Sequence, residues 1–377
     1  MRIIADKDLY KAKALFSDLG DLTLIPGREI RSHHLSGADA LIVRSTTVVS
    51  EQLLKNTSLK FIGSATSGID HINLDLLNDK NIDFASARGC NANAVSEYCM
   101  AAFSAIRREE WSSNPKPKVG IIGNGMVGNE LIQKFKSLNC EVLVNDPPKS
   151  VNSKEAVDGL SYYSLEELTQ CNIISVHVPL IYSGEYSTRN LIRKEFLLSL
   201  PEKTMFINTS RGEVIDEEVL LEVMKEREDL MFILDVWRDE PQCNRSLVKL
   251  ANIATPHIAG YSEEAKKKAS LKMMSSLINF FELPIVSSKV YNSEISKPLI
   301  LNSAESYVDA IAKVFPIREI SARFKQSLFA REDVNEKESF DKLRRQLSKR
   351  KEFCSYLVPE SFSEESIRFL TAVGFRN

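Results

Sequence analysis

The stretch VGIIGNGMVGNELIQKF, residues 119–135, constrains the fold of this chain more than any other. Gly123, Gly125 and Gly128 form a G-x-G-x-x-G pattern behind an apolar run and ahead of a helical one. Glycines so placed permit a tight strand-to-helix turn and let the backbone approach a pyrophosphate, whose charge the helix N-terminus favours. A second apolar run, CEVLVND, ends in Asp146, 18 residues beyond Gly128. A carboxylate there can accept from both ribose hydroxyls and repels a 2′-phosphate, so the pattern points to NAD rather than NADP. Three glycines alone would mean only a tight turn. Strand, helix and acid together predict a dinucleotide-binding unit starting near residue 117.

A complete α/β segment precedes that unit. MRIIAD, ADALIVRS and LKFIGSAT are apolar runs of strand length, YKAKALFSDLG reads as a helix ending at Gly20, and NANAVSEYCMAAFSAIRREE as a longer one. After the glycine turn the alternation continues through NIISVHVPL, TMFINTS, LMFILDVW and NIATPHIAG, with helical stretches such as DEEVLLEVMKE between them. Such alternation builds parallel sheets. From about residue 286 the pattern changes to helical and charge-dense segments, with SYLVPE as one further strand. The first segment is expected to supply substrate contacts, with the active cleft between it and the dinucleotide unit.

Composition removes several classes. A net charge of −2 over 377 residues leaves no electrostatic footprint for nucleic acid or an anionic membrane. No stretch reaches the roughly 18 apolar residues of a membrane span, and the charged N-terminus has no secretory pattern. The six cysteines lack the paired spacing of a zinc or redox site; Cys140 and Cys171 read as small core residues. A soluble, cytoplasmic, reduced protein is expected.

Strand ends of open α/β sheets face the ligand crevice, and several polar groups fall there. In FINTSRGEVIDEEVL, Thr209 ends an apolar run and Arg211 follows it. Arg211 is either a surface arginine beside a turn or a fork for a carboxylate. In LDVWRDEP, Asp235 and Glu240 are either part of a solvated acidic loop or functional. His257, in TPHIAGY, is either a packed histidine or an acid–base group, the second if a carboxylate such as Glu240 fixes its tautomer. Ser45 and Thr66 end strands of the first segment. Arg44 would suit a phosphate as well as it would suit the surface. His177, His71, His33 and His34 are assigned structural or no roles.

The glycine turn, NTSRGEVID, LDVWRDEP and TPHIAG, in that order, resemble the D-isomer-specific 2-hydroxyacid dehydrogenase family, and the likeness covers most of residues 1–285. The resemblance implies a Rossmann-type NAD domain at 95–257, a discontinuous flavodoxin-like substrate domain at 1–94 and 258–285, and catalytic roles for Arg211, Glu240 and His257. It places Met126, Val127, Val178, Thr209, Asp235 and Gly260 around NAD with the three glycines and Asp146, Asp235 near the nicotinamide amide. Ser45, Thr66 and Tyr261 would contact substrate. DALIVRSTT, FIGSATSGIDHIN, GCNANAVSEY, NDPP, TPHIAGYSEEAK and SFDKLRRQL resemble one branch of the family. That branch oxidises a phosphorylated 2-hydroxy acid on the route to vitamin B6. It also implies a C-terminal α/β dimerisation domain at 286–377 and a homodimer. Arg88 departs from the expected smaller residue; it would add phosphate affinity or be merely exposed. Arg344 or Arg345 is expected to reach the phosphate site of the partner subunit. The competing expectations are a dehydrogenase of another 2-hydroxy acid, such as phosphoglycerate, and a NAD-sensing corepressor on the same fold.

Overall fold

The computed structural model describes residues 1–106, 116–152, 160–284, 299–300, 306–329, 336–347 and 349–377. The chain divides into two compact units, one of residues 1–91 with 263–297 and the other of residues 92–262 with 298–377.

The first unit carries a parallel five-stranded sheet of β1 (Arg2–Asp6), β2 (Asp21–Ile25), β3 (Ala40–Val43), β4 (Phe61–Ser64) and β5 (Asp83–Ser86), in the order β2-β1-β3-β4-β5. That is the flavodoxin-like order. Alternate residues feed two cores. Ile3, Ala5, Ala40, Ile42 and Phe61 pack with Met273, Met274 and Leu277 of the returning helix Glu263–Phe280, while Ile4, Leu41, Val43 and Ile62 pack on the other face. Burial on both faces is why β1, β3 and β4 read as unbroken apolar runs.

The second unit is built on β6 (Val119–Ile122), β7 (Val142–Asn145), β8 (Ile173–Val176), β9 (Met205–Asn208), β10 (Met231–Leu234) and β11 (Ile253–Ala254), ordered β11-β10-β9-β8-β6-β7 and parallel throughout. A further parallel bridge joins Tyr162 to Val144 on the outer side of β7. With Tyr162 in the third place, the order is the 3-2-1-4-5-6 of a dinucleotide-binding sheet, with β11 added beyond β10 as a seventh position.

The C-terminal segment does not keep a core of its own. Ala310, Ile311, Phe315, Ile317, Phe353, Phe369 and Leu370 share one continuous apolar cluster with Tyr98, Phe103, Ile121 and Phe135. Phe324, Phe340 and Leu343 join the opposite face with Trp237. Its sheet is the short parallel pair β12 (Leu299–Ile300) and β13 (Tyr356–Leu357). No helix among the described residues is long and apolar enough to cross a membrane.

Candidate active site

The glycine turn separates what the fold needs from what a ligand needs. Gly123 has φ +95°, and a Cβ there would lie 2.9 Å from the carbonyl of His177. A Cβ on Gly128 would lie 2.0 Å from the Gly123 carbonyl oxygen. Both glycines are demanded by the turn itself. Gly125 is different: its φ of −79° suits any residue, and a Cβ would meet nothing within 4 Å. Neither conformation nor protein packing calls for glycine there, so the space it leaves suits a group from outside the chain. Beside it Met126 is 57 % exposed at the start of the helix Met126–Ser137, and the buried Asn124 Oδ1 has no partner. The residues fit a dinucleotide pyrophosphate on the helix N-terminus.

Asp146 lies where the sequence puts it. Its Oδ2 accepts the Asn124 N–H at 2.8 Å and its Oδ1 the Lys149 N–H at 3.2 Å. A carboxylate has about four acceptor sites, so both oxygens retain capacity for ribose hydroxyls. At the end of β8, the His177 ring bridges the Ser175 hydroxyl at 2.8 Å and the Thr209 hydroxyl at 3.3 Å. Burial pushes its pKa down to about 3, so it is a neutral brace between two strands. Val178 is half-buried next to it.

Three loops after β9, β10 and β11 carry the expected catalytic groups. Asn208 closes the first by accepting from the Ser210 N–H at 3.0 Å and donating to the Arg211 carbonyl at 2.9 Å. Arg211 donates from NH1 to the Ser210 carbonyl at 2.7 Å and remains half-buried. Gly212 fits this loop against the next one, since a Cβ there would lie 2.1 Å from the Trp237 carbonyl carbon. Glu217 and Asp216, at the start of the helix Glu217–Glu226, bind the Arg238 N–H at 2.9 Å and its guanidinium at 3.2 Å.

On the second loop Glu240 Oε1 accepts the Trp237 N–H at 3.0 Å, and Oε2 lies 2.7 Å from His257 Nδ1. Burial pushes the Glu240 carboxyl up. The charges of His257 and Arg344 and the bonds from His257 and Trp237 outweigh it, so the net shift is downward. An ionised Glu240 selects the tautomer with the proton on Nδ1 and leaves Nε2 as an acceptor.

His257 has φ +53°, a left-handed conformation rare outside glycine. Its N–H donates to the Asp235 carbonyl at 2.8 Å. The Asp235 side chain accepts from Ile258 N–H, Ala259 N–H and the Thr255 hydroxyl at 2.8, 2.8 and 2.6 Å. Asp235 is wholly interior, and burial raises its pKa to about 6 against the pull of His257 and these donors. Expected beside the nicotinamide amide, Asp235 is seen holding the histidine loop. Gly260 and Tyr261 follow on that loop, both half-buried.

In the first unit Ser45 is exposed just beyond β3, and the Thr66 hydroxyl beyond β4 donates to the Gly68 carbonyl at 2.8 Å. Arg44 is ion-paired. Its Nε lies 2.9 Å from Asp6 and its NH2 2.8 Å from Asp8. Asp6 is fully buried and needs a cation, so Arg44 has a structural partner in the structure, and its expected phosphate contact is a matter for the proposal below. Arg88 is exposed.

The C-terminal segment brings residues to this site that strand-end reasoning missed. Arg350 donates from Nε to the Tyr261 carbonyl at 3.0 Å and pairs through NH1 with the buried Glu97 at 2.9 Å. Buried Glu352 accepts the Ser262 hydroxyl at 2.7 Å. Arg344, expected at a partner's site, stands over its own chain's Tyr261 ring at 4.9 Å. The only signal in the sequence was the density of charge in that stretch.

Known proteins resemble this chain in sequence and in fold. Residues 96–259 match the sequence profile of the D-isomer specific 2-hydroxyacid dehydrogenase, NAD binding domain. A solved NAD+-bound 3-phosphoglycerate dehydrogenase from Entamoeba histolytica superimposes with a TM-score of 0.63 at 26% identity, over 77% of this chain and 99% of that one. A D-lactate dehydrogenase from Aquifex aeolicus shares the fold with a TM-score of 0.62 at 22% identity, over 75% of this chain and 96% of that one. These structures match about three quarters of the chain, whereas curated relatives match it end to end. The erythronate-4-phosphate dehydrogenase of Marinomonas sp. (strain MWYL1) is 37% identical over 100% of this chain and 99% of its own length. That of Hahella chejuensis (strain KCTC 2396) is 37% identical with the same coverage. The profile match and the end-to-end likeness therefore agree on one family: the chain belongs to the D-isomer-specific 2-hydroxyacid dehydrogenases, in the branch of the erythronate-4-phosphate dehydrogenases.

Proposed function

We propose that this dehydrogenase oxidises 4-phospho-D-erythronate at C2 to (R)-3-hydroxy-2-oxo-4-phosphooxybutanoate, a step of vitamin B6 biosynthesis, in the cytoplasm and as a homodimer. The observation that carries the chemistry is the 2.7 Å contact of His257 Nδ1 with Glu240. It leaves Nε2 to take the C2 hydroxyl proton, and Glu240 stabilises the imidazolium that results. Arg211 is assigned to the substrate carboxylate and to the carbonyl that develops beside it. NAD bound at the glycine turn supplies the acceptor for the two electrons of the C2–H bond. Ser45, Thr66 and Tyr261 are assigned to substrate binding. The end-to-end likeness to erythronate-4-phosphate dehydrogenases supports the choice of substrate.

The test is NADH formation by the purified protein with 4-phosphoerythronate and with 3-phosphoglycerate. Higher kcat/KM on 4-phosphoerythronate is expected, and preference for 3-phosphoglycerate would reject the substrate. A His257→Ala variant with full turnover would reject the mechanism. The assembled acid–base pair favours an enzyme over a NAD-sensing corepressor.

A further inference from the structure

The helix Glu336–Leu347 turns Phe340 and Leu343 into the core that also holds Trp237. Phe340 meets Phe324 edge-on at 6.0 Å, and Phe324 meets Trp237 at 6.2 Å. That packing fixes where the next side chain, Arg344, must lie. Its guanidinium is 4.9 Å from the Tyr261 ring centroid and 5.5 Å from that of Phe340. Its charge helps to keep the Glu240 carboxyl low.

Among the described residues Arg344 has no carboxylate or hydrogen-bond partner, and its Nε is buried and unsatisfied. Other arginines of this unit are neutralised: Arg350 by Glu97, Arg227 by Asp229 and Arg238 by Asp216. A buried donor with no partner is rare in a folded chain and calls for an explanation, a bound ion being one. We propose that Arg344, supplied by the C-terminal segment of the same chain, binds the phosphate of a substrate whose carboxylate goes to Arg211. The proposal rests on the functional reading above and adds to it the residue that selects phosphorylated over unphosphorylated hydroxy acids.

A planar guanidinium binds a phosphate through two parallel hydrogen bonds, and stacking on an aromatic ring orients that fork in advance. Tyr261 is itself held, because Arg350 binds its carbonyl and Glu352 binds the adjoining Ser262. Arg345, the neighbour, is exposed and points to no such role.

The test uses the full-length enzyme and its Arg344→Ala and Arg344→Lys variants, assayed with 4-phosphoerythronate and with unphosphorylated erythronate. Loss of a charge-assisted contact should raise KM for the phosphorylated substrate about 10- to 100-fold in Arg344→Ala. The affinity for NAD should stay unchanged, kcat/KM for erythronate should fall far less than for the phosphorylated substrate because Arg344 also lies near Glu240, and Arg344→Lys should recover part of the loss. An unaltered preference, or an equal loss on both substrates, overturns the proposal. Inorganic phosphate gives a readout independent of turnover: it should raise the melting temperature of the wild type more than that of Arg344→Ala, and equal shifts overturn the proposal. A wild type inactive on 4-phosphoerythronate would instead reject the substrate reading, leaving the phosphate shift to decide on Arg344. Co-production of Arg344→Ala with His257→Ala subunits should restore no activity. Restoration would place Arg344 in its partner's site and overturn the same-chain assignment.

Discussion

His257 is held in a conformation that its own backbone disfavours. Its φ of +53° persists because Asp235 binds the loop through its carbonyl and both carboxylate oxygens. Strain of this kind persists only where the surroundings over-determine it. Glu240 completes the group by fixing the ring, and a neutral amide there cannot balance an imidazolium. Glu240→Gln should lower kcat/KM about 10²-fold or more while leaving the NAD dissociation constant unchanged, as stopped-flow and fluorescence titration would show. The glycine turn gives a paired prediction. In Gly125→Ala the new methyl meets no protein atom within 4 Å, so the melting temperature should hold while NAD binds more weakly. In Gly128→Ala the methyl would lie 2.0 Å from a carbonyl oxygen, so the fold itself should be lost or strongly destabilised. Equal effects of the two would contradict the division between fold and ligand.

Between elements, the site depends on how closely two loops approach. Gly212→Ala would drive a Cβ into the Trp237–Arg238 backbone and part the Arg211 loop from the Glu240 loop. Both kcat and melting temperature should fall, measured on the same preparation. The helix Ala92–Ile106 meets the C-terminal segment through Glu97, where Arg350 and the Phe353 N–H converge. Burial raises the Glu97 pKa to about 7 from an ordinary 4.5, the Arg350 charge only partly opposing it. The folded state thus binds this proton more tightly than the unfolded state. Glu97's contribution to stability is therefore full below about pH 4.5 and declines as pH rises towards 7. Glu97→Gln mimics the protonated form and lacks this titration. Between pH 5 and pH 8 its melting temperature should move upward relative to the wild type's. Movement the other way would show that the ion pair with Arg350 outweighs burial.

For the whole molecule, the C-terminal segment is structural before it is anything else. Phe315, Phe353, Phe369 and Leu370 fill the same core as Tyr98 and Phe103. Deleting residues 306–377 should expose that core and yield insoluble or molten protein, as light scattering and near-UV circular dichroism would reveal. An active, folded fragment would defeat this account. Dimerisation through the same segment is a separate expectation, checked by analytical ultracentrifugation of the full chain.

Most strands of both sheets were legible because burial on both faces writes them as continuous apolar runs, and the glycine turn and Asp146 were legible because their spacing is local. Strands β2 and β5 escaped notice because they lie at the sheet edge, where most positions are only half-buried and no run forms. Likewise the order of the catalytic motifs could be read along the chain. Their contacts could not: the Glu240–His257 pair spans 17 residues, and Arg350 reaches Tyr261 across 89. Arg44 shows the same limit from the other side, since nothing near it in sequence announces that Asp6 will be buried beside it. Periodicity and spacing record which face each residue turns to the core. Only the packed structure decides which charges are neutralised there and which, like that of Arg344 among the described residues, have no carboxylate partner.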